Sequence, residues 1–376
     1  MNKKALLFSR DPGGANVVAP LVKPLLSRSY NVFLYGKDFA LAKYRQEGLD
    51  AFDIAKELPI INEASIAQFL KRISPDIVFT GTSADDDTEK LMWKSCAELS
   101  IPTIAIVDQW CNYGLRFSAY GVGNVKEYEH DRKHPYLPSL ITAIDDFAMS
   151  EMIAEGLPED RLVVCGQPYF EKIISARNDL LEVDAFNQTH SLEQDEFVVV
   201  FASEPITTTY KNGAMGYLGY TECTILEALA DTLENIVSVT GLPVRLIVRP
   251  HPKEDGEALG AVLENRHNLR WNVERNASPW VLMTRANLVV GMSSMFLLEA
   301  VVMGRPVKSI QIGLCREDPF VLSRRGIVKS ILTTGELIDS LQGAIVDRKL
   351  EVPELRIITN PVERVVLEME KLMWRI

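Results

Sequence analysis

Short apolar runs alternate with helix-patterned segments in two successive series along this chain, and that alternation limits the fold more than any single motif does. In the first series KALLFS, NVFLYG, PDIVFTGTS, PTIAIVDQW, ITAIDDFAMS and RLVVCGQP carry the strand signal, and segments such as VVAPLVKPLLSRS and DFALAKYRQEG have helical spacing. A polar stretch, RNDLLEVDAFNQTHSLEQDE, interrupts the pattern. The second series then runs through FVVVFAS, PVRLIVRP, a weaker LRWNV, ANLVVGMSS and PVKSIQIG, with helices patterned between them and an amphipathic PVERVVLEMEKLMWRI at the end. Strands that are apolar throughout must be covered on both faces, and helices between them supply right-handed parallel crossovers. The expectation is an α/β protein of two doubly wound Rossmann-like domains, at 1–170 and 196–355. A linker at 171–195 joins them, and a helix at 356–376 packs back on the first domain. Ligands of such proteins favour a central cleft between the domains.

Composition narrows the function classes. A length of 376 residues suits two domains, and 47% hydrophobic with 24% charged residues is a globular profile. A net charge of −11 argues against a general nucleic-acid or anionic-membrane surface, while leaving room for a local basic pocket. No apolar run reaches the roughly 20 residues of a membrane span, so membrane contact would be peripheral. The opening MNKKALLFSR lacks a signal-peptide pattern. Five scattered cysteines without a CxxC pair read as reduced thiols of a cytoplasmic protein. Neither a metal nor a cofactor is expected.

Two motifs in the second series converge on anion chemistry. In VVGMSSMFLLEAVVMGRPV a strand ends at Gly291, and Ser293 or Ser294 caps a helix whose first-turn amides, from Met295 onward, form a ready anion site. Glu299, one turn further in, can accept hydroxyl hydrogens from a ribose or sugar. In IVRPHPKEDG two prolines stiffen the turn after another strand and aim Arg249 and His251. A guanidinium fork suits phosphate oxygens, and a neutral imidazole donates one hydrogen bond. The long loop SEPITTTYKNGAMGY, 203–217, brings Glu204 and Thr207 as further residues able to reach a leaving phosphate.

The first series offers acids. SRDPGGANVVAP pairs Asp11, a candidate general base or a plain turn-forming residue, with Gly13, Gly14 and Asn16 in a loop that lets backbone approach a ligand. It is not a GxGxxG fingerprint. VDQWCNYGLRF gathers Asp108, Gln109, Trp110, Asn112, Tyr113 and Arg116, a set suited to stacking a sugar face and bonding its hydroxyls, with Asp108 the rival base. Ser83 and Asp85 to Asp87 in TSADDDTEK read as helix caps rather than metal ligands. KEYEHDRKHPY, with His130 and His134, reads as a mobile charged loop.

RPHPKE followed by ANLVVGMSSMFLLEAVVMGRPV resembles the donor half of GT-B-fold nucleotide-sugar enzymes, including bacterial surface-polysaccharide glycosyltransferases and the UDP-N-acetylglucosamine 2-epimerase group. The first half resembles theirs in DDFAMSEMIAEGLPEDRLVVCGQPYFEKI, with the step Gly166-Gln167-Pro168 where such chains leave the first domain. The resemblance implies that Arg249, His251, Ser293, Ser294 and Glu299 contact a UDP-, GDP- or CMP-type donor. It implies an inverting, metal-independent glycosyltransferase with a glycan or lipid-linked acceptor and with Asp108 or Asp11 as base. The alternatives are a nucleotide-sugar 2-epimerase and a nucleotide-sugar-binding protein without turnover. An epimerase of that group carries a histidine after the first strand of the second domain, where this chain has SEPITTTY.

Overall fold

The computed structural model describes residues 2–176, 180–210 and 216–374. The chain divides into two compact units, Met1–Lys172 with Ile357–Ile376, and Ile173–Arg356.

The first unit holds seven parallel strands: β1 Lys4–Ser9, β2 Asn31–Gly36, β3 Phe52–Asp53, β4 Ile77–Thr80, β5 Thr103–Ile106, β6 Leu140–Ala143 and β7 Leu162–Val164. Their order is β3-β2-β1-β4-β5-β6-β7, so the winding reverses between β1 and β4. Successive side chains of a strand point to opposite faces. Ala5 and Leu7 of β1 accordingly join one core with Phe79, Ile104 and Ile106, whereas Leu6 and Phe8 join another with Val78, Phe69 and Met92. The first of these cores includes Val362, Val365, Val366 and Met369 of the helix Pro361–Trp374. Arg28 fixes that helix from outside through Glu363 at 2.6 Å and Glu370 at 3.4 Å.

The second unit has six parallel strands: β8 Phe197–Ala202, β9 Val244–Arg249, β10 Arg270–Val273, β11 Leu288–Gly291, β12 Val307–Ile310 and β13 Ser330–Ile331. Their order is β10-β9-β8-β11-β12-β13, with the reversal between β8 and β11. The long helix Glu222–Thr240 starts at a reciprocal Thr221/Thr224 capping box and stops at Gly241 in the left-handed conformation. Its Ile225, Leu226, Leu229 and Leu233 cover β8 and β9.

The segment 171–195, expected as a linker, is largely helical. Helices span Tyr169–Ala176 and Leu180–Thr189, and Val183 and Phe186 are buried. Residues 177–179 of the expected linker lie outside the described residues. No helix among the described residues is long and apolar enough to cross a membrane.

Candidate functional site

In an open parallel sheet, ligands collect at the carboxyl ends of the strands near the reversal of winding. In the second unit β9, β8 and β11 end side by side there, and a cavity of about 430 Å³ opens among them. Arg249, His251, Glu204, Ser294, Met295 and Glu299 all line it.

Arg249 ends β9. It donates from Nη1 to the Ala277 carbonyl at 2.9 Å, and its guanidinium lies 5.4 Å from the Phe296 ring centre. Burial lowers its pKa, with Glu299 and Glu274 opposing the shift, and an arginine stays charged under such a shift. The turn beyond is held by Glu254, whose carboxylate accepts the His251 N–H at 2.7 Å and the Ser203 hydroxyl at 2.9 Å. The Lys253 N–H donates to His251 Nδ1 at 3.1 Å. That bond assigns the ring proton of the neutral imidazole to Nε2, which becomes a hydrogen-bond donor. Burial, then Lys253 and Arg249, push the His251 pKa below its ordinary value, so the neutral form dominates at pH 7.

The serine turn differs from expectation in two respects. Ser294 occupies the N-cap position of the helix Met295–Val302, but its side chain makes no capping bond, and its Oγ is buried without a partner among the described residues. Ser293 does not present its donors to the cavity. Its N–H and hydroxyl donate to Glu204, at 2.6 and 3.0 Å. Thr207 is also placed elsewhere, since its N–H and hydroxyl both bond Glu222 at 2.9 Å. Residues 211–215 of the long loop lie outside the described residues.

In the first unit the acids gather at the corresponding reversal, after β1, β4 and β5. Asp108 is buried, and Oδ1 accepts from Arg116 Nη1 at 2.6 Å. Arg116, buried too, also donates to the Thr82 carbonyl and hydroxyl, each at 2.7 Å. The other Asp108 oxygen rests against Gly13, where a Cβ would fall 1.8 Å from it, so only glycine fits. Gly14 packs against Gly81 in the same crevice. Asp11 takes the N-cap position of the helix Pro12–Val18 without a capping bond and pairs with Arg10 at 2.8 Å. Asn16 sits in that helix with a buried Oδ1 that lacks a partner among the described residues.

Glu89 belongs to this group, and the sequence reading passed it over. It is 1% exposed, accepts the Ser83 N–H, and has its pKa pushed up to about 8, by burial first and then by Asp11, Asp86 and Asp108. An acid in the first turn of a helix already has an explanation in the helix dipole, and only its burial betrays it. Of the acids expected to cap that helix, Asp86 accepts the Thr88 N–H at 3.0 Å, Asp85 accepts from Val122, and Asp87 at the N-cap makes no capping bond.

Trp110 and Tyr113 do not form a stacking platform. Trp110 is 3% exposed, donates from Nε1 to Asp145 at 3.0 Å and stacks on Phe170, while Tyr113 is 1% exposed and donates to Glu151 at 2.9 Å. Gln109 accepts a long contact from Cys111, and Asn112, at φ 54°, lines a separate cavity of about 160 Å³ with Tyr128 and Glu155. Where a mobile loop was expected, a helix spans Val125–Asp131, and His134 Nε2 lies 3.1 Å from the Tyr128 hydroxyl.

No protein-family model matches the sequence, and no curated protein matches it. Solved structures do match its fold over the full length, and they identify it as GT-B: two Rossmann-like domains. The chain is similar to the UDP-GlcNAc 2-epimerase of Neisseria meningitidis bound to UDP-GlcNAc, with a TM-score of 0.70 and 15% identity over 98% of this chain and 100% of the other. It is similar to the UDP-GlcNAc 2-epimerase of Methanocaldococcus jannaschii, with a TM-score of 0.66 and 14% identity over 98% and 99%. Anabaena HepE in complex with UDP and glucose gives a TM-score of 0.58 and 14% identity over 100% of both chains.

Proposed function

We propose that this protein is an enzyme acting on a nucleotide sugar, whose diphosphate enters the second-unit cavity. One observation carries the reading: a half-buried arginine, an imidazole with a donor Nε2–H, a helix N-terminus and a carboxylate able to bond hydroxyls meet in one cavity. Arg249 and His251 take the diphosphate, and Glu299 takes a ribose or sugar hydroxyl. Breaking the sugar C1–O bond puts charge on the departing diphosphate, which fixed donors in a water-poor site stabilise. The first unit supplies proton-transfer groups: Asp108 and Asp11 as bases, with Glu89 beside them holding a proton at neutral pH.

For the reaction, 2-epimerisation is the better supported reading, because similar structures carry that activity in their names and match this chain end to end. Glycosyl transfer is the second reading. It is favoured by Glu204 standing after β8, where the resemblance to the epimerases implies a histidine. Incubation with UDP-GlcNAc in D2O, followed by proton NMR, separates them. Epimerisation incorporates deuterium at C2 and yields the C2 epimer. Transfer leaves C2 unlabelled and releases UDP only when an acceptor is added. Tight binding with neither outcome identifies a binding protein, and no binding of any nucleotide sugar refutes the reading.

A further inference from the structure

The serine turn of the second unit already holds an anion of its own. The Glu204 carboxylate accepts the Ser293 N–H, the Ser293 hydroxyl and the Ser294 N–H, and it lines the cavity beside Arg249 and His251. Those donors lie at a helix N-terminus, where a diphosphate would also be drawn. Two anions cannot share them without repulsion. We propose that Glu204 is a resident carboxylate that contends with the incoming diphosphate for the Ser293 turn, and that the ligand binds with uptake of one proton from solvent onto Glu204. The protonated carboxyl then becomes a donor to a phosphate oxygen instead of a rival acceptor. This proposal rests on the nucleotide-sugar reading of the cavity.

The surroundings favour proton uptake. Glu204 is partly buried with Glu254 as a charged neighbour, and its pKa is pushed up to about 7, chiefly by burial, against the pull of the serine donors. An arriving diphosphate adds like charge and raises it further. Other titratable groups surround the cavity, and the E204Q variant separates their response from that of Glu204. His251 titrates below its ordinary value, Arg249 stays cationic, and Glu254 is raised by burial but held back by its bonds to the His251 N–H and to Ser203. Glu299 faces the same space, and Tyr220, which feels the Glu204 charge, has its pKa raised out of the range.

UDP-GlcNAc is a suitable probe because its diphosphate does not titrate between pH 6 and 8.5. Wild-type affinity should fall roughly thirtyfold across that range if a group of pKa about 7 must be protonated in the complex. Calorimetry at pH 7.5, in buffers of different ionisation enthalpy, should register proton uptake. E204Q carries a permanent donor in place of the carboxylate. It should bind at pH 8.5 at least tenfold more tightly than wild type, with a nearly flat profile whose residual slope reports His251. Binding to wild type without a pH slope or proton uptake overturns the proposal alone, as does weaker binding by folded E204Q at pH 8.5. Failure of both proteins to bind any UDP-, GDP- or CMP-sugar at any pH overturns it together with the nucleotide-sugar reading.

Discussion

Arg249 brings a guanidinium to the cavity, beside Lys253 on the same turn, and its geometry is set by two anchors, the Ala277 carbonyl and the Phe296 ring. R249A removes a charge-assisted bond worth about 1.5–3 kcal/mol, so nucleotide-sugar affinity should drop about ten- to a hundredfold by calorimetric titration. R249K should recover part of the loss, because an ammonium keeps the charge but not the planar fork. Equal binding by folded R249A and wild type would make the turn structural. In the first unit, Glu89 makes a stability prediction. Its folded pKa of about 8 exceeds the ordinary carboxyl value of 4.5, so the native state binds the extra proton between those values. Stability should therefore decline as pH rises from about 4.5 to 8, by up to about 1.4 kcal/mol for each pH unit crossed, and level off above. E89Q should remove the share of this decline due to Glu89 and leave the smaller share of Glu204, so the variant should lose less stability than wild type between pH 5.5 and 8.5 in urea unfolding. Wild type and E89Q losing stability in parallel would show that Glu89 is ionised in the native state.

At the scale of elements, the sequence was most legible where a strand is buried on both faces. IVFT of β4 and FVVVFA of β8 are wholly buried, and their apolar runs announce them. The two-residue strands β3 and β13 are too short to carry a period, and both were missed. The Arg249–His251 turn was legible because its prolines mark it. The Glu204–Ser293 bond was not, since it joins residues 89 apart across the reversal of the sheet. The loop after β5 misled for a related reason. Its dense aromatic and polar residues look like a ligand platform, but their partners, Asp145 and Glu151, lie 35 and 38 residues downstream. W110A should accordingly cost about 3–5 kcal/mol in chemical unfolding, and W110F should cost about 1 kcal/mol for the lost bond to Asp145. Neither should change nucleotide-sugar affinity while the protein is folded. A selective loss of binding in folded W110F would restore the platform reading.

For the whole molecule, the proposed division of labour separates binding from turnover. Asp108 belongs to the first unit and the diphosphate cavity to the second, so D108N should abolish product formation and leave nucleotide-sugar affinity within about twofold, roughly 0.4 kcal/mol. D11N is its companion. Full activity in both variants would remove the assigned bases, and lost affinity in D108N would contradict the separation. Fold class was readable because the strand–helix alternation restarts after the interruption. The reaction was not readable, because it depends on which acids surround the substrate, and burial decides that more than residue type. The path of the chain adds a temporal constraint. It leaves the first unit after Lys172 and re-enters at Ile357, and the re-entry is locked at Gly166, whose missing Cβ makes room for Ile358 and Pro361. A ribosome therefore delivers every strand of the second sheet before it delivers Val365, Val366 and Met369 to the core of the first. The half made first is completed only after the second sheet has been made, and its apolar face near β1 must wait for the helix Pro361–Trp374 to be covered.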